Sequence, residues 1–202
     1  MRSIYIVDDD NEIRSELYSL LSIYPDTGLR SFGSGDDFIA ALDELQASVI
    51  LLDMNMPGAS GLDVLEAIRD RKDLFPIVLT GEGDTQLAVK AMKAGATDFL
   101  EKPCEPKSLL RTIDLAFETL EETEQVIART GEARDKLSRL SSRERDVLEG
   151  LIEGKSNKVI GYELDISPRT VEVYRGKMME KLEVQSLPEA LRIAFAAGLI
   201  DA

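Results

Sequence analysis

The chain has 202 residues, enough for one or two domains with their own cores, and 44 % apolar against 31 % charged residues is ordinary for a globular protein. One cysteine and no histidine exclude an internal disulfide, a multi-cysteine zinc site and histidine phosphotransfer by the chain itself, and fit a cytoplasmic location. No stretch approaches the roughly 20 apolar residues that span a bilayer, and acid follows the first apolar run too closely for a secretory signal. The formal charge is −14, yet residues 1–120 hold 11 basic against 22 acidic side chains, while residues 155–181 hold 6 against 4. Any contact with nucleic acid is therefore confined to that later stretch.

Up to residue 120, short apolar runs alternate with segments of helical periodicity. The runs are Ser3–Val7, Leu29–Phe32, Val49–Leu52, Ile77–Leu79 and Asp98–Leu100. Between them, spacings such as Ile13, Leu17, Leu20 and Leu21 mark amphipathic helices. Five strands with intervening helices predict an α/β, doubly wound parallel sheet of flavodoxin-like order. Pro103 and Pro106 stop the fifth strand and open a helix. Its Leu109, Ile113, Ala116, Leu120, Thr123 and Ile127 follow a heptad spacing that Gly131 interrupts. Residues 121–137 are expected to form a linker, helical or frayed.

From residue 138 onward strand signals vanish, and four helices form an all-α unit. Ser141 with Glu144 and Ser186 with Glu189 read as capping boxes. Ser156 and the Ser167-Pro168 pair open the second and third helices, and Gly154 and Gly198 are stops. Val159, Ile160, Leu164, Ile166, Val171, Met178 and Leu182 are the expected core of the middle pair.

Polar residues stand at the carboxyl ends of four apolar runs: Asp8 and Asp9, Asp53, Thr80, and Lys102. In an open α/β sheet these ends converge on one crevice. Three carboxylates there would repel one another without a cation, and an all-oxygen donor set suits Mg²⁺. Lys102 adds a point charge and Thr80 a hydroxyl, so the set could stabilise a transferring phosphoryl group. Residue types alone do not choose the nucleophile among Asp8, Asp9 and Asp53. Each piece also has a plain alternative: the triplet as helix cap, Met56-Pro-Gly58 as turn, Lys102 as surface lysine, Phe99 as core. All four being true together, at successive strand ends, is the weaker reading. Cys104 reads as a small, half-buried side chain.

Val7-Asp-Asp-Asp10, Leu52-Asp-Met-Asn-Met-Pro-Gly58, Leu79-Thr-Gly81 and Phe99-Leu-Glu-Lys-Pro103 together resemble the motifs of two-component receiver domains. The resemblance implies that Asp53 is the phosphoacceptor and that Asp9, Asp53 and the Asn55 carbonyl ligate Mg²⁺, with Asp8 acting partly through water. It also implies that Lys102 pairs with the phosphoryl group and that Thr80 and Phe99 are the switch pair.

In the later part, Asn157–Leu164 and Pro168–Leu182 are separated by a tight turn, and the second helix is basic, as in a helix-turn-helix. Lys158, Arg169, Arg175, Lys177 and Lys181 are candidate phosphate or base contacts. Ser142-Arg-Glu-Arg-Asp-Val-Leu148, Gly154-Lys-Ser-Asn-Lys-Val-Ile160 and Ile166-Ser-Pro-Arg-Thr-Val-Glu-Val173 resemble the LuxR-type helix-turn-helix. The whole chain is similar to the NarL/FixJ family, nearest its FixJ side. That resemblance places Glu172, Val173, Gly176 and Lys177 toward bases, with Thr170 beside them. Two departures are Glu82 and Tyr174, both often histidine in the family.

The expected organisation is a receiver at 1–120, a linker at 121–137 and a DNA-binding domain at 138–202. The implied function is a transcription regulator, not an enzyme beyond Mg²⁺-dependent self-phosphorylation and dephosphorylation. Its implied partners are a sensor histidine kinase, promoter DNA and, once phosphorylated, a second copy, with no membrane. The rival is a phosphate sink whose helical domain binds protein.

Overall fold

The structure is a computed structural model that describes residues 2–81 and 85–199. Glu82, one of the departures noted above, lies outside the described residues. The chain divides into two compact units, Met1–Glu124 and Gln125–Ala202.

The first unit is built on strands β1 (Arg2–Val7), β2 (Thr27–Phe32), β3 (Ser48–Asp53), β4 (Leu74–Thr80) and β5 (Asp98–Glu101). They form one parallel sheet in the order β2-β1-β3-β4-β5. All six residues of β3 are buried, as expected for a central strand covered on both faces. Alternation along the strands sends side chains to two separate cores. Tyr5, Val7, Ile50, Leu52 and Val78 pack with Phe32, Phe38, Val64 and Ala91 on one face. Ile4, Ile6, Val49, Leu51, Ile77 and Leu79 pack with Leu17, Leu21, Ile113 and Phe117 on the other. Helices α2 (Gly35–Ala40), α3 (Gly61–Ala67) and α4 (Thr85–Ala94) cover the first face, and α1 (Asn11–Leu21) and the start of α5 (Pro106–Ser138) cover the second. The order reverses between β1 and β3, which is where a doubly wound sheet opens its crevice.

Helix α5 runs unbroken from Pro106 to Ser138. Gly131 does not interrupt it; a single glycine costs about 1 kcal/mol of helix propensity, too little to end a helix of this length. The heptad seam is real only in its first half. Leu109, Ile113, Ala116 and Leu120 are buried in the first unit, whereas Ile127 is exposed. The last turns serve the second unit, where Ala133 and Leu137 join its core.

The second unit contains α6 (Ser142–Ile152), α7 (Asn157–Glu163), α8 (Pro168–Leu182) and α9 (Leu187–Ala196) around Val147, Leu148, Ile160, Val171, Met178 and Leu182. Val159, expected in this core, faces out. The two-turn helix α7 commits Ile160, Gly161 and partly Leu164 inward, and the preceding residue falls on the other side. Gly161 lets the turn close, because a Cβ there would lie 2.8 Å from the Ile166 carbonyl oxygen. Asp165, in the turn itself, has φ of 56°.

Ser141 and Glu144 form the expected reciprocal capping box. Ser186 does not: its hydroxyl accepts no backbone bond, and Glu189 instead accepts from the Ser186 hydroxyl and the Gln185 N–H. Ser167 accepts from the Thr170 N–H at 3.0 Å, with Pro168 in the first turn of α8. Ser167→Ala should therefore lower the stability of the second unit by about 1 kcal/mol, read as a shift of its unfolding midpoint.

Candidate functional site

Four strands deliver the crevice. Asp8 follows β1, Asp53 ends β3, Thr80 ends β4, and Lys102 follows β5, its N–H bonded to the Thr80 carbonyl at 2.7 Å. Lys102 Nζ donates to Asp8 Oδ2 at 2.7 Å and to Asp53 Oδ1 at 2.6 Å. The remaining oxygens are also held: Asp8 Oδ1 accepts from the Asp10 N–H at 2.9 Å and Asp53 Oδ2 from the Asn55 N–H at 2.7 Å. Asp8 and Asp53 are buried, so their charges rely on this one ammonium and these N–H donors. Burial pulls the Lys102 pKa down, but its hydrogen bonds to Asp53 and Asp8 outweigh that and hold it above the ordinary lysine value.

The acidic triplet, undivided in the sequence, splits into three roles. Asp8 is buried against Lys102; Asp9 is exposed; Asp10 caps α1 by accepting from the Glu12 and Ile13 N–H groups. Among the described residues no group of three carboxylates is gathered as a metal cage. The cation between Asp8 and Asp53 is the Lys102 ammonium. Lys102 thus pairs two of the three carboxylates, and Asp9 stands beside that pair on the exposed side.

The loop after Asp53 is fixed from both ends. Gly61 lies so close that a Cβ would sit 2.6 Å from the Asp53 carbonyl oxygen, and the Ala59 N–H bonds Asp36 Oδ2 at 3.0 Å. Asn55 is exposed at the loop's start, its side chain free of the bonds that anchor Asp53. Thr80 is buried, and among the described residues its hydroxyl has one long contact, 3.5 Å to the Gly81 carbonyl oxygen. Phe99 is 39 % exposed and lines a shallow apolar depression with Ala88, Val89, Met92 and Lys93. Cys104 is half-buried, and burial pushes its thiol pKa up, which suits the packing role read from the sequence.

On the second unit, Arg169, Glu172, Val173, Gly176 and Lys177 are exposed along α8 at spacings of three and four, so they share one face. Arg175 is half-buried, Thr170 is half-buried in the α8 cap, and Tyr174 packs against the core. Lys158 is exposed on α7. Lys181 has a different occupation: Nζ donates to Glu144 Oε2 at 2.6 Å, and Glu144 is buried. Lys155 is held between Glu153 and Glu163. Lys158, Arg169, Arg175 and Lys177 form no ion pair or side-chain hydrogen bond among the described residues, which leaves four uncommitted cations from the basic stretch. Sequence reasoning missed Tyr162, which is 89 % exposed one turn after Lys158; as a tyrosine within an apolar run it gave no outward signal. It also missed Arg14, Asp36 and the Glu144–Lys181 pair.

Residues 4–114 match the response regulator receiver domain family, and residues 138–194 match the LuxR family of bacterial regulatory proteins. The transcriptional regulatory protein FixJ of Bradyrhizobium diazoefficiens is 42 % identical over 199 residues, covering 98 % of this chain and 97 % of that protein. FixJ of Rhizobium meliloti is 40 % identical over 197 residues, covering 97 % and 96 %. Among solved structures, the response regulator StyR aligns at a TM-score of 0.83 with 33 % identity over 96 % of this chain and 98 % of that one. Full-length FixJ from B. japonicum aligns at 0.59 with 40 % identity over 98 % of both. No helix of the described residues is long and apolar enough to cross a membrane. With both domain families matched and a similar FixJ over nearly the whole length, the chain belongs to the FixJ-type two-component response regulators, with a receiver and a LuxR-type DNA-binding domain.

Proposed function

We propose that Asp53 accepts a phosphoryl group from a histidine of a partner kinase and that the aspartyl phosphate promotes association of two copies on promoter DNA. The observation that carries this reading is Lys102 Nζ reaching both Asp8 and Asp53. The Asp53 carboxylate attacks phosphorus, the bond to the histidine nitrogen breaks, and an acyl phosphate remains. Lys102 offsets the charge that builds on the phosphoryl oxygens.

The proposed ligand set suits Mg²⁺ by donor type, since the carboxylates of Asp8, Asp9 and Asp53 and the Asn55 carbonyl offer oxygen alone, with no nitrogen or sulfur. When bound, the metal would neutralise charge shared by donor and acceptor. Asp53, Asp9 and Asn55 would hold it directly and Asp8 partly through water.

Thr80 and Phe99 are the proposed switch. A buried hydroxyl whose contact among the described residues is one long bond can turn to a new acceptor at little cost. The exposed ring of Phe99, with Val89 and Met92, forms the apolar surface on which a second copy would rest. We assign residues 1–120 to the receiver, 121–137 to the linker and 138–202 to the DNA-binding domain, acting in the cytoplasm. The phosphate-sink alternative loses its motive, since residues 138–194 match a family of bacterial regulators and four cations there stay uncommitted.

Arg169, Glu172, Val173, Gly176 and Lys177 would face the major groove, with Lys158, Thr170 and Arg175 at its edges. Duplex affinity should therefore fall steeply with salt, and Lys177→Ala should flatten the slope of log affinity against log salt by about 1. A salt-independent affinity, or no duplex binding at all, would remove DNA from the account.

A further inference from the structure

The β1–α1 turn carries Asp8 and Asp9, and something must fix how these two neighbours leave the backbone. Strand β1 ends on a weak rung, the Asp8 N–H to the Phe32 carbonyl at 3.3 Å. The β1–β2 register ends there, with Val7 opposite Phe32. Arg14, one turn into α1, reaches back over the gap. Its Nη1 donates to the Asp8 carbonyl oxygen at 2.7 Å and its Nη2 to Asn11 Oδ1 at 3.1 Å. Gly33 lies alongside, where a Cβ would come 3.7 Å from the guanidinium. The side chain is half-buried and forms no ion pair among the described residues. A guanidinium that stands behind an acidic turn yet bonds a main-chain carbonyl is arranged to hold the peptide, not to neutralise a carboxylate.

We infer that Arg14 is a positioning residue for the cation site: it clamps the Asp8–Asp9 peptide and so fixes the backbone from which both carboxylates leave. This rests on the proposed Mg²⁺ reading of the crevice. Two effects of removing Arg14 oppose each other, which makes the inference testable. Loss of a nearby positive charge alone would tighten Mg²⁺ binding. Loss of the clamp would weaken it, because outer partners of metal ligands typically control affinity by tenfold or more.

The test is calorimetric Mg²⁺ titration of the full chain and of the Arg14→Ala and Arg14→Lys variants, with thermal midpoints measured alongside. R14A should bind Mg²⁺ about tenfold more weakly. R14K should fall between R14A and the unaltered chain, because an ammonium keeps the charge but lacks the two-pronged reach across Asp8 and Asn11. Labelling of R14A by a small acyl phosphate should recover when Mg²⁺ saturates, so the defect lies in metal affinity and not in the chemical step. Equal or tighter Mg²⁺ binding by R14A overturns the inference, as does R14K indistinguishable from the unaltered chain. If R14A does not fold, the R14K comparison decides alone. A chain that binds no Mg²⁺ before any substitution would instead overturn the crevice reading itself, and this inference with it.

Discussion

Asp53→Asn is expected to abolish labelling by a small acyl phosphate donor, in a gel that separates phosphorylated from free protein. An amide has no anionic oxygen with which to attack phosphorus, and no neighbouring group replaces it. Asp8 is already spent on Lys102 and the Asp10 N–H, and Asp9 stands exposed outside the pair. Lys102→Ala should lower the labelling rate by about a hundredfold or more, the usual cost of removing one preorganised charge from a transition state. It also leaves the buried Asp8 and Asp53 without their shared cation. Undiminished labelling of D53N would move the acceptor elsewhere.

Glu144→Gln should destabilise the second unit by about 2 kcal/mol. Its carboxylate is buried and accepts from Lys181 Nζ at 2.6 Å and the Ser141 N–H at 2.8 Å. Breaking a fully buried ion pair costs about 3–5 kcal/mol; because Lys181 is partly exposed, solvent screens the pair and the smaller figure applies. Adding Lys181→Met to E144Q should cost little more, since the partner is already lost. The same pair sets an acid limit. Burial alone would raise the Glu144 pKa, but the bonds from Lys181 and Ser141 bring it below its ordinary value near 4.5. A lowered folded-state pKa means this stabilisation is complete above that ordinary value and is lost as pH falls through the folded one. Acid unfolding of E144Q should therefore lack this component. A consequence separates two lysines of one helix: K181A should lower the melting midpoint, K177A the salt slope.

Much of this architecture was legible because burial leaves a period in the sequence. The five strands correspond to apolar runs, and the polar residues at their carboxyl ends, Asp8, Asp53, Thr80 and Lys102, mark the crevice. The misses share a physical cause, which is that pattern does not say which of two polar partners a group will take. Lys181 reads as a DNA contact on a basic helix, yet a buried carboxylate 37 residues earlier holds it. Asp8, Asp9 and Asp10 are identical letters with three different environments. Arg14 was invisible because its acceptor is a main-chain carbonyl, which every residue has. The length of α5 was obscured by Gly131, whose local preference yields to a helix anchored in a core at each end. Glu189 took over the cap of α9 because its carboxylate reaches the Gln185 N–H as well as the Ser186 hydroxyl.

If a phosphoryl group on Asp53 governs DNA binding, a mimic of that group should change duplex affinity through Asp53 alone. Duplexes selected from a randomised pool are titrated with the chain by fluorescence anisotropy, with and without beryllofluoride as phosphoryl mimic, and the series is repeated with D53N. The mimic should tighten binding of the unaltered chain by about tenfold, a typical coupling between two sites, and leave D53N unmoved. Equal affinity in all arms, or a D53N variant that responds as the unaltered chain does, would contradict it.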